Sequence, residues 1–272
     1  MNDKIAVILP VYKKDKVEYL SKAIESIALQ TYTQYYLYIG IDGPVGEDIK
    51  SYFKLIDGQR KVSIIWFEKN RGLACVLNDL LDICFKEGYE YIARMDADDI
   101  SEPNRFAIQI EFLSQNPDID VISGGVLEID DEGKSRNKKV ILPQSHEDCY
   151  KLFATRNPLA HPAVLFRKSF FDKAGVYDPS YKRNQDTILW WKGFKNGCRF
   201  GNVPDIILRF RVTDSMLGSR RGGYEYAKRT FKDRMVINKE LGYGVKAFVF
   251  AVFMFVFTIS PLWVKKLAYK TR

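Results

Sequence analysis

The first hundred residues alternate between short unbroken apolar runs and stretches whose apolar positions recur every three or four residues. Ile5-Ala6-Val7-Ile8-Leu9, ended by Pro10, has the pattern of a strand buried on both faces. Residues 16–30 put Val17, Leu20, Ala23, Ile24, Ile27 and Ala28 on one helical stripe. Residues 36–41 predict a second strand closed by Asp42-Gly43-Pro44, 46–57 a helix and 62–67 a third strand. Residues 73–85 then predict a helix with Leu73, Val76, Leu77, Leu80, Leu81 and Cys84 inward, and 89–93 a fourth strand. Strand and helix alternating through short loops predict an α/β fold with a parallel, doubly wound sheet. Ligands on such sheets bind at the carboxyl ends of the strands. Pro10-Val11-Tyr12, Asp42-Gly43, Asn70-Arg71-Gly72 and Asp96-Ala97-Asp98 fall at four such ends.

Beyond residue 100 the pattern predicts a helix at about 104–115, strands at 120–122 and 126–129, and an exposed charged hairpin over 130–139. A rigid loop, Asn157-Pro158-Leu159-Ala160-His161-Pro162, precedes a strand at 163–167, and a helix over 185–196 opens with Gln185-Asp186. The segment 247–264 is 18 residues without a charge, rich in Phe and Val, between Lys246 and Lys265-Lys266. That length is short for a membrane span, Pro261 interrupts it, and positive charge on both sides gives no orientation. A membrane-embedded or re-entrant anchor is the favoured reading, with a single span and a buried core helix as alternatives.

The 272 residues, 46% hydrophobic and 28% charged, suffice for one large domain or a domain with an appendage. Cys75, Cys84, Cys149 and Cys198 have neither metal-ligand nor redox spacing, as expected of reduced thiols in a cytoplasmic protein. Met1-Asn2-Asp3-Lys4 runs into the first strand without a signal-peptide core. The net charge of +8 is unevenly spread: residues 1–160 carry 20 Lys/Arg against 26 Asp/Glu, and 161–272 carry 22 against 8. A basic C-terminal part suggests an anionic partner, either lipid or a phosphorylated substrate. Without a nucleic-acid motif, nucleic acid ranks last.

The run Tyr91-Ile92-Ala93-Arg94-Met95-Asp96-Ala97-Asp98-Asp99 carries the most chemistry. If the strand extends through it, Asp96 and Asp98 point the same way, and they repel unless a cation lies between them. Hard divalent ions take such oxygens and share them with phosphates. The alternative is a polar turn leading into the next helix, which Ser101-Glu102-Pro103 can start, with Asp99 as a cap.

The order and spacing of these motifs over residues 3–215 resemble the family 2 glycosyltransferases, with their GT-A nucleotide-diphospho-sugar fold. Val7-Ile8-Leu9-Pro10-Val11-Tyr12 is similar to the family's first strand and nucleotide turn. Ile39-Gly40-Ile41-Asp42-Gly43 resembles its Asp-Asp-Gly element, with Ile41 in place of the first Asp. Asn70-Arg71-Gly72-Leu73-Ala74, followed by Asn78, resembles its Asn-x-Gly segment, and Asp96-Ala97-Asp98-Asp99 its metal-binding motif. Gln185-Asp186 resembles the Glu-Asp pair bearing the catalytic base, with Gln in place of Glu. Leu208-Arg209-Phe210-Arg211-Val212-Thr213 resembles a late Tyr-Arg-x-His segment, with Thr213 in place of His. The loop from Asn157 to Arg167 is similar to members that build bacterial surface polysaccharides, such as O-antigen and capsule.

The resemblance implies a GT-A domain over 1–215, with a nucleotide half at about 1–100 and an acceptor half at about 101–215. A basic helical region, 216–272, follows. It implies an inverting transfer from a UDP-sugar, aided by Mn²⁺ or Mg²⁺, to a saccharide on a polyprenyl diphosphate at the cytoplasmic face of an anionic membrane. Asp98 would ligate the metal, Asp96 would meet the ribose or a metal-bound water, and Asp186 would take the acceptor proton; by its position alone Asp186 is a helix cap. Pro10, Val11, Ala97 and Arg211 would line the donor. Tyr12 would stack on the base, Asp42 accept from uracil, and Arg71 pair with the diphosphate; each also has an ordinary structural reading. His161, Gln185 and Trp190 are acceptor candidates, although adjacent Trp190 and Trp191 point apart on a helix, so at least one belongs to the core. Arg220-Arg221-Gly222-Gly223 would be a lid or face lipid. The rival readings are a sugar nucleotidyltransferase and a non-catalytic nucleotide-binding protein on the membrane surface.

Overall fold

The computed structural model describes residues 4–213, 223–261 and 264. Strand β1 (Ile5–Val11) is followed by α1 (Val17–Ala28), β2 (Tyr35–Asp42), α2 (Glu47–Ile56), β3 (Val62–Phe67), α3 (Leu73–Lys86) and β4 (Tyr91–Arg94). These strands run parallel, as the alternation predicts, in the order β3-β2-β1-β4. Side chains of successive strand residues point to opposite faces. Ile5, Val7, Leu9 and Val11 therefore meet α1, α2 and α4 (Arg105–Gln115). Ala6 and Ile8 meet α3, α5 (His146–Phe153), α6 (Lys168–Ala174) and α7 (Gln185–Lys195). Gly40 lets α3 lie close on β2, because a Cβ there would come within 2.6 Å of the Val76 side chain.

The second half completes the sheet. β6 (Val121–Ile129) is one strand rather than the expected two, paired with β7 (Ser135–Val140) in the hairpin the charges predict. β8 (Leu165–Arg167) joins β4 antiparallel, after a short 3₁₀ turn at His161–Ala163. β9 (Phe200–Arg211) runs parallel to β6 and pairs antiparallel with β5 (Ile100–Ser101). One sheet thus spans the expected nucleotide and acceptor halves.

The C-terminal region divides in two. The expected boundary near 215, and Arg220, Arg221 and Gly222, lie outside the described residues. α8 (Tyr224–Glu240) belongs to the body of the domain: Ile237 and Leu241 join the core against α5 and α7, and Arg234 Nη1 donates to the Phe153 carbonyl at 2.7 Å. α9 (Val245–Ile259) rests on α8 through Phe255, 5.6 Å from Phe231, and buries only Ala247 and Ala251. Phe248, Val249, Phe253 and Val256 are exposed, so the core-helix reading of 247–264 does not hold. Among the described residues no helix is long and apolar enough to cross a membrane.

Trp190 is wholly buried among Phe166, Phe170 and Phe200, with ring centroids 5.8–6.1 Å away. It is a core residue, and its rings are not open to an acceptor sugar. Replacing Trp190 with Ala is expected to destabilise the fold by about 3–5 kcal/mol through the cavity it leaves. Urea denaturation checks this, and a loss below about 1 kcal/mol would contradict the packing described.

Candidate active site

Two loops meet beside the end of β2. Asp42 is nearly buried, and its two oxygens accept from the backbone N–H groups of Arg71 (2.7 Å) and Gly72 (2.9 Å). Asn70 Nδ2 returns a bond to the Asp42 carbonyl at 3.0 Å. Gly43 has φ +81°, and a Cβ there would lie 2.4 Å from Asn70 N, so this contact requires glycine. Asp42 is thus a loop clamp, with both oxygens already bonded. Ile41 is buried in the core, where the family pattern has a carboxylate. Arg71 lies over the Phe67 ring at 4.9 Å and pairs with Asp79, so its guanidinium is tethered at the rim. Pro10 and Tyr12 are half-buried at the end of β1 and Val11 is buried; the Tyr12 N–H donates to Asp15 Oδ2 at 2.8 Å.

β4 ends at Arg94, so Asp96, Ala97 and Asp98 occupy a turn and not a strand. The expected two-residue alternation does not bring the acids together; the turn does. One oxygen from each of Asp96, Asp98 and Asp99 lies within 4.8 Å of the others. Asp99 does not cap the following helix, which begins at Arg105 after Asn104. It is buried, accepts from Arg211 N through Oδ1 (2.8 Å), and its Oδ2 has no hydrogen-bond partner among the described residues. Burial, reinforced by the charges of Asp98 and Asp96, raises its pKa well above the usual carboxylate range. Three close carboxylates, one with an unbonded buried oxygen, fit a hard divalent cation.

Buried arginines shape this turn. Arg211 donates to the carbonyls of Asp98 (2.8 Å), Asp130 (2.6 Å) and Asp131 (2.9 Å), and its guanidinium lies 4.1 Å from the Tyr19 ring centroid. It is a brace for the loops, which corrects its expected place in the donor lining. Arg105 donates to the carbonyls of Arg94 (2.8 Å) and Val164 (3.2 Å), and burial pushes its pKa down to about 9. Arg94 itself is buried and donates through Nη2 to Asp96, while its Nε and Nη1 have no partner among the described residues. Sequence reasoning gave Arg94 no role; the signal was an arginine at the end of an otherwise apolar strand.

Asp186 occupies the first turn of α7, after Asn184 in the left-handed conformation (φ 59°). It makes no capping bond there. Instead it accepts from Asn157 Nδ2 at 2.7 Å. Tyr177 is buried, which raises its pKa, and the charges of Arg94, Asp186 and Asp96 also act on it. Its hydroxyl is 2.7 Å from His161 Nε2, and its backbone is held on both sides by the Asn78 side chain. His161, an expected acceptor contact, is thereby part of the floor, tilted against Tyr177 and edge-on to Trp190, with ring centroids 5.5 and 5.8 Å away. Gln185 is also buried.

Residues 6–175 match the family model described as glycosyl transferase family 2. The chain belongs to this family. This glycosyltransferase is 33% identical over 223 residues to the amylovoran biosynthesis glycosyltransferase AmsE of Erwinia amylovora, covering 82% of this chain and 81% of that protein. It is 32% identical over 229 residues to the UDP-Gal:alpha-D-GlcNAc-diphosphoundecaprenol beta-1,3-galactosyltransferase of Escherichia coli, covering 82% of this chain and 79% of that protein. In fold it is similar to S. aureus TarS in complex with UDP-GlcNAc, with a TM-score of 0.63 at 16% identity, covering 89% of this chain and 67% of that one. It spans 42% of the longer TarS chain. The expected GT-A architecture is therefore the one found.

Burial, and next the Arg94 charge, depress the His161 pKa well below that of a free imidazole. The unfolded glycosyltransferase takes up this proton near pH 6.5 and the folded one only at lower pH. The unfolded state therefore binds more protons in that window, and stability falls as pH drops below about 6.5, by at most about 1.4 kcal/mol per pH unit from this residue. Denaturation midpoints at pH 7.5 and 5.0 should separate less in His161→Gln than in the wild type. The comparison removes the contribution of His146, which is also depressed; equal separations would refute the assignment.

Proposed function

We propose that this glycosyltransferase is inverting and metal-dependent, and moves a sugar from a UDP-sugar to a hydroxyl of a polyprenyl-diphosphate-linked saccharide during bacterial surface polysaccharide synthesis. The observation that carries this reading is the cluster of Asp96, Asp98 and Asp99, each offering an oxygen within 4.8 Å of the others, together with Asp186, held by Asn157 in the first turn of α7 as the remaining acid of the family pattern. The names of the Erwinia and Escherichia relatives support the pathway and the acceptor class.

The acceptor hydroxyl is too weak an acid to attack unaided, so a carboxylate must take its proton as the new bond forms. Asp186 is that base. The hydroxyl oxygen bonds to the anomeric carbon from the face opposite the nucleotide, the bond from that carbon to the diphosphate oxygen breaks, and UDP leaves with the electron pair. Attack from the opposite face inverts the carbon. Asp98 and Asp99 would hold Mn²⁺ or Mg²⁺, with Asp96 held by Arg94 towards the donor. When bound, the cation would neutralise charge growing on the leaving diphosphate. Pro10, Val11, Tyr12 and Ala97 line the donor side in this reading, with Arg71 at its rim. A nucleotidyltransferase is disfavoured by the family match and by Pro10-Val11-Tyr12-Lys13-Lys14, which is not a Gly-rich phosphate loop.

Asp98→Asn should weaken UDP binding in Mn²⁺ by about tenfold or more, whereas Asp186→Asn should bind UDP normally and turn over about 10²-fold more slowly. Calorimetry and a transfer assay measure the two effects. Unchanged affinity in the first variant would remove the metal assignment, and wild-type turnover in the second would return Asp186 to a structural role.

The exposed Phe and Val face of α9, next to the basic 216–272 region, supports seating on the surface of an anionic membrane. Phe253→Glu with Val256→Glu in the full chain should abolish co-flotation with phosphatidylglycerol vesicles while UDP affinity stays at the wild-type value. Undiminished flotation would exclude α9 as the contact.

A further inference from the structure

A cavity of about 660 Å³ opens between β7 and α5, within the size range of ligand sites. Val140, Ile141, Leu142 and Leu152 form its apolar wall, and Lys151 and Arg156 stand on its rim. Asp148 also lines it and holds Lys151 at 2.9 Å, so these three groups carry one surplus positive charge. Asn157, next to Arg156 in the chain, lines the cavity too. It is the same asparagine whose Nδ2 donates to Asp186 Oδ2.

An asparagine amide can in principle turn over and offer its oxygen instead of its NH₂. Here it is fixed, because the Thr187 hydroxyl donates to Asn157 Oδ1 at 3.0 Å. Thr187 follows Asp186 on the same helix, so α7 supplies both the carboxylate and the hydroxyl that orients the carboxylate's partner. Asn157 thereby occupies one oxygen of Asp186 and orients the other, while its own position opens into the cavity.

We infer that the cavity between β7 and α5 is the acceptor cleft, with Asn157, locked by Thr187, as the residue that positions Asp186 against the accepting hydroxyl. The inference rests on the proposed roles of Asp186 and of a lipid-linked acceptor. The saccharide lies with its accepting hydroxyl at the Asn157 end and its C–H faces on the apolar wall. Its diphosphate meets Arg156 and Lys151, whose surplus charge suits an anion.

The test uses the full chain, a GlcNAc-diphospho-lipid as acceptor, an uncharged GlcNAc glycoside as second acceptor, and a panel of UDP-sugars. Ile141→Trp narrows the cavity and should raise KM for both acceptors by about tenfold, with UDP affinity unchanged. Arg156→Ala should raise KM for the diphospho-lipid alone. Asn157→Ala should lower kcat by about 10²-fold with little change in UDP affinity, and Thr187→Val should lower it several-fold, with Thr187→Ser restoring it. A purely structural role for Thr187 would not give that rescue. Thermal melting identifies any variant that fails to fold. If folded Ile141→Trp and Asn157→Ala keep wild-type KM and kcat, the cleft assignment is overturned and the proposed function stands. If the wild type binds UDP but neither binds nor glycosylates either acceptor, the acceptor reading itself fails and takes the cleft with it.

Discussion

The acidic turn after β4 holds three carboxylates together because buried arginines grip its backbone from both sides. Arg211 takes the Asp98 carbonyl together with those of Asp130 and Asp131, and Arg105 takes the carbonyl of Arg94. Each guanidinium presents several donors in a rigid plane, so one side chain can tie chain segments that are distant in sequence. Burying such a cation is costly unless it is paired or hydrogen-bonded. Carbonyls and the acids of the turn meet part of that requirement here, and Arg94 Nε and Nη1 and Arg211 Nη2 stay without a partner among the described residues. The same charges let Asp96, Asp98 and Asp99 crowd together before any cation arrives. The arrangement couples β4, β9 and the β6–β7 hairpin into one unit, so the acidic turn depends on a residue more than a hundred positions away.

A second dependence runs through the C-terminal half. Asn184, at the start of α7, is held by Thr230 and Tyr226 of α8, at 3.2 and 3.0 Å. α8 also closes over α5 through Arg234 and over α7 through the Lys195–Glu240 pair. The helix carrying Asp186 is therefore set by a segment following the sheet, and α8 is packed into the domain through these contacts. α9 differs, because it leans on α8 and leaves its apolar face open.

The departures from the family pattern have physical readings in this chain. Ile41 fills the core where a carboxylate would need a partner, and Asp42 spends both oxygens on the 70–72 loop. Gln185 in place of Glu sits buried beside Asp186, where a second carboxylate would repel the first. Fewer acids are thereby left open to a ligand: those of the turn after β4 and Asp186.

Much of this was readable along the chain. Continuous apolar runs and helical stripes determined that the first four strands form a parallel sheet, because burial on both faces demands them, while their order β3-β2-β1-β4 came from the closed structure. The ordered motifs determined the family, and they singled out the acidic turn and Asp186 as its candidate acids. Where side chains of distant segments meet was not readable. The sequence alone could not say that Arg211 braces loops, that His161 and Trp190 lie in the floor, or that α8 packs into the domain. The strand β9 was also obscured by Gly201, Asn202 and Pro204, residues that β-propensity disfavours and that pairing with β6 overrides. Periodicity records which face of an element is buried, since that is fixed by local backbone geometry. The partner that covers the face, and the direction in which a polar group at its edge points, depend on contacts across many residues, and those were decided only when the chain closed on itself.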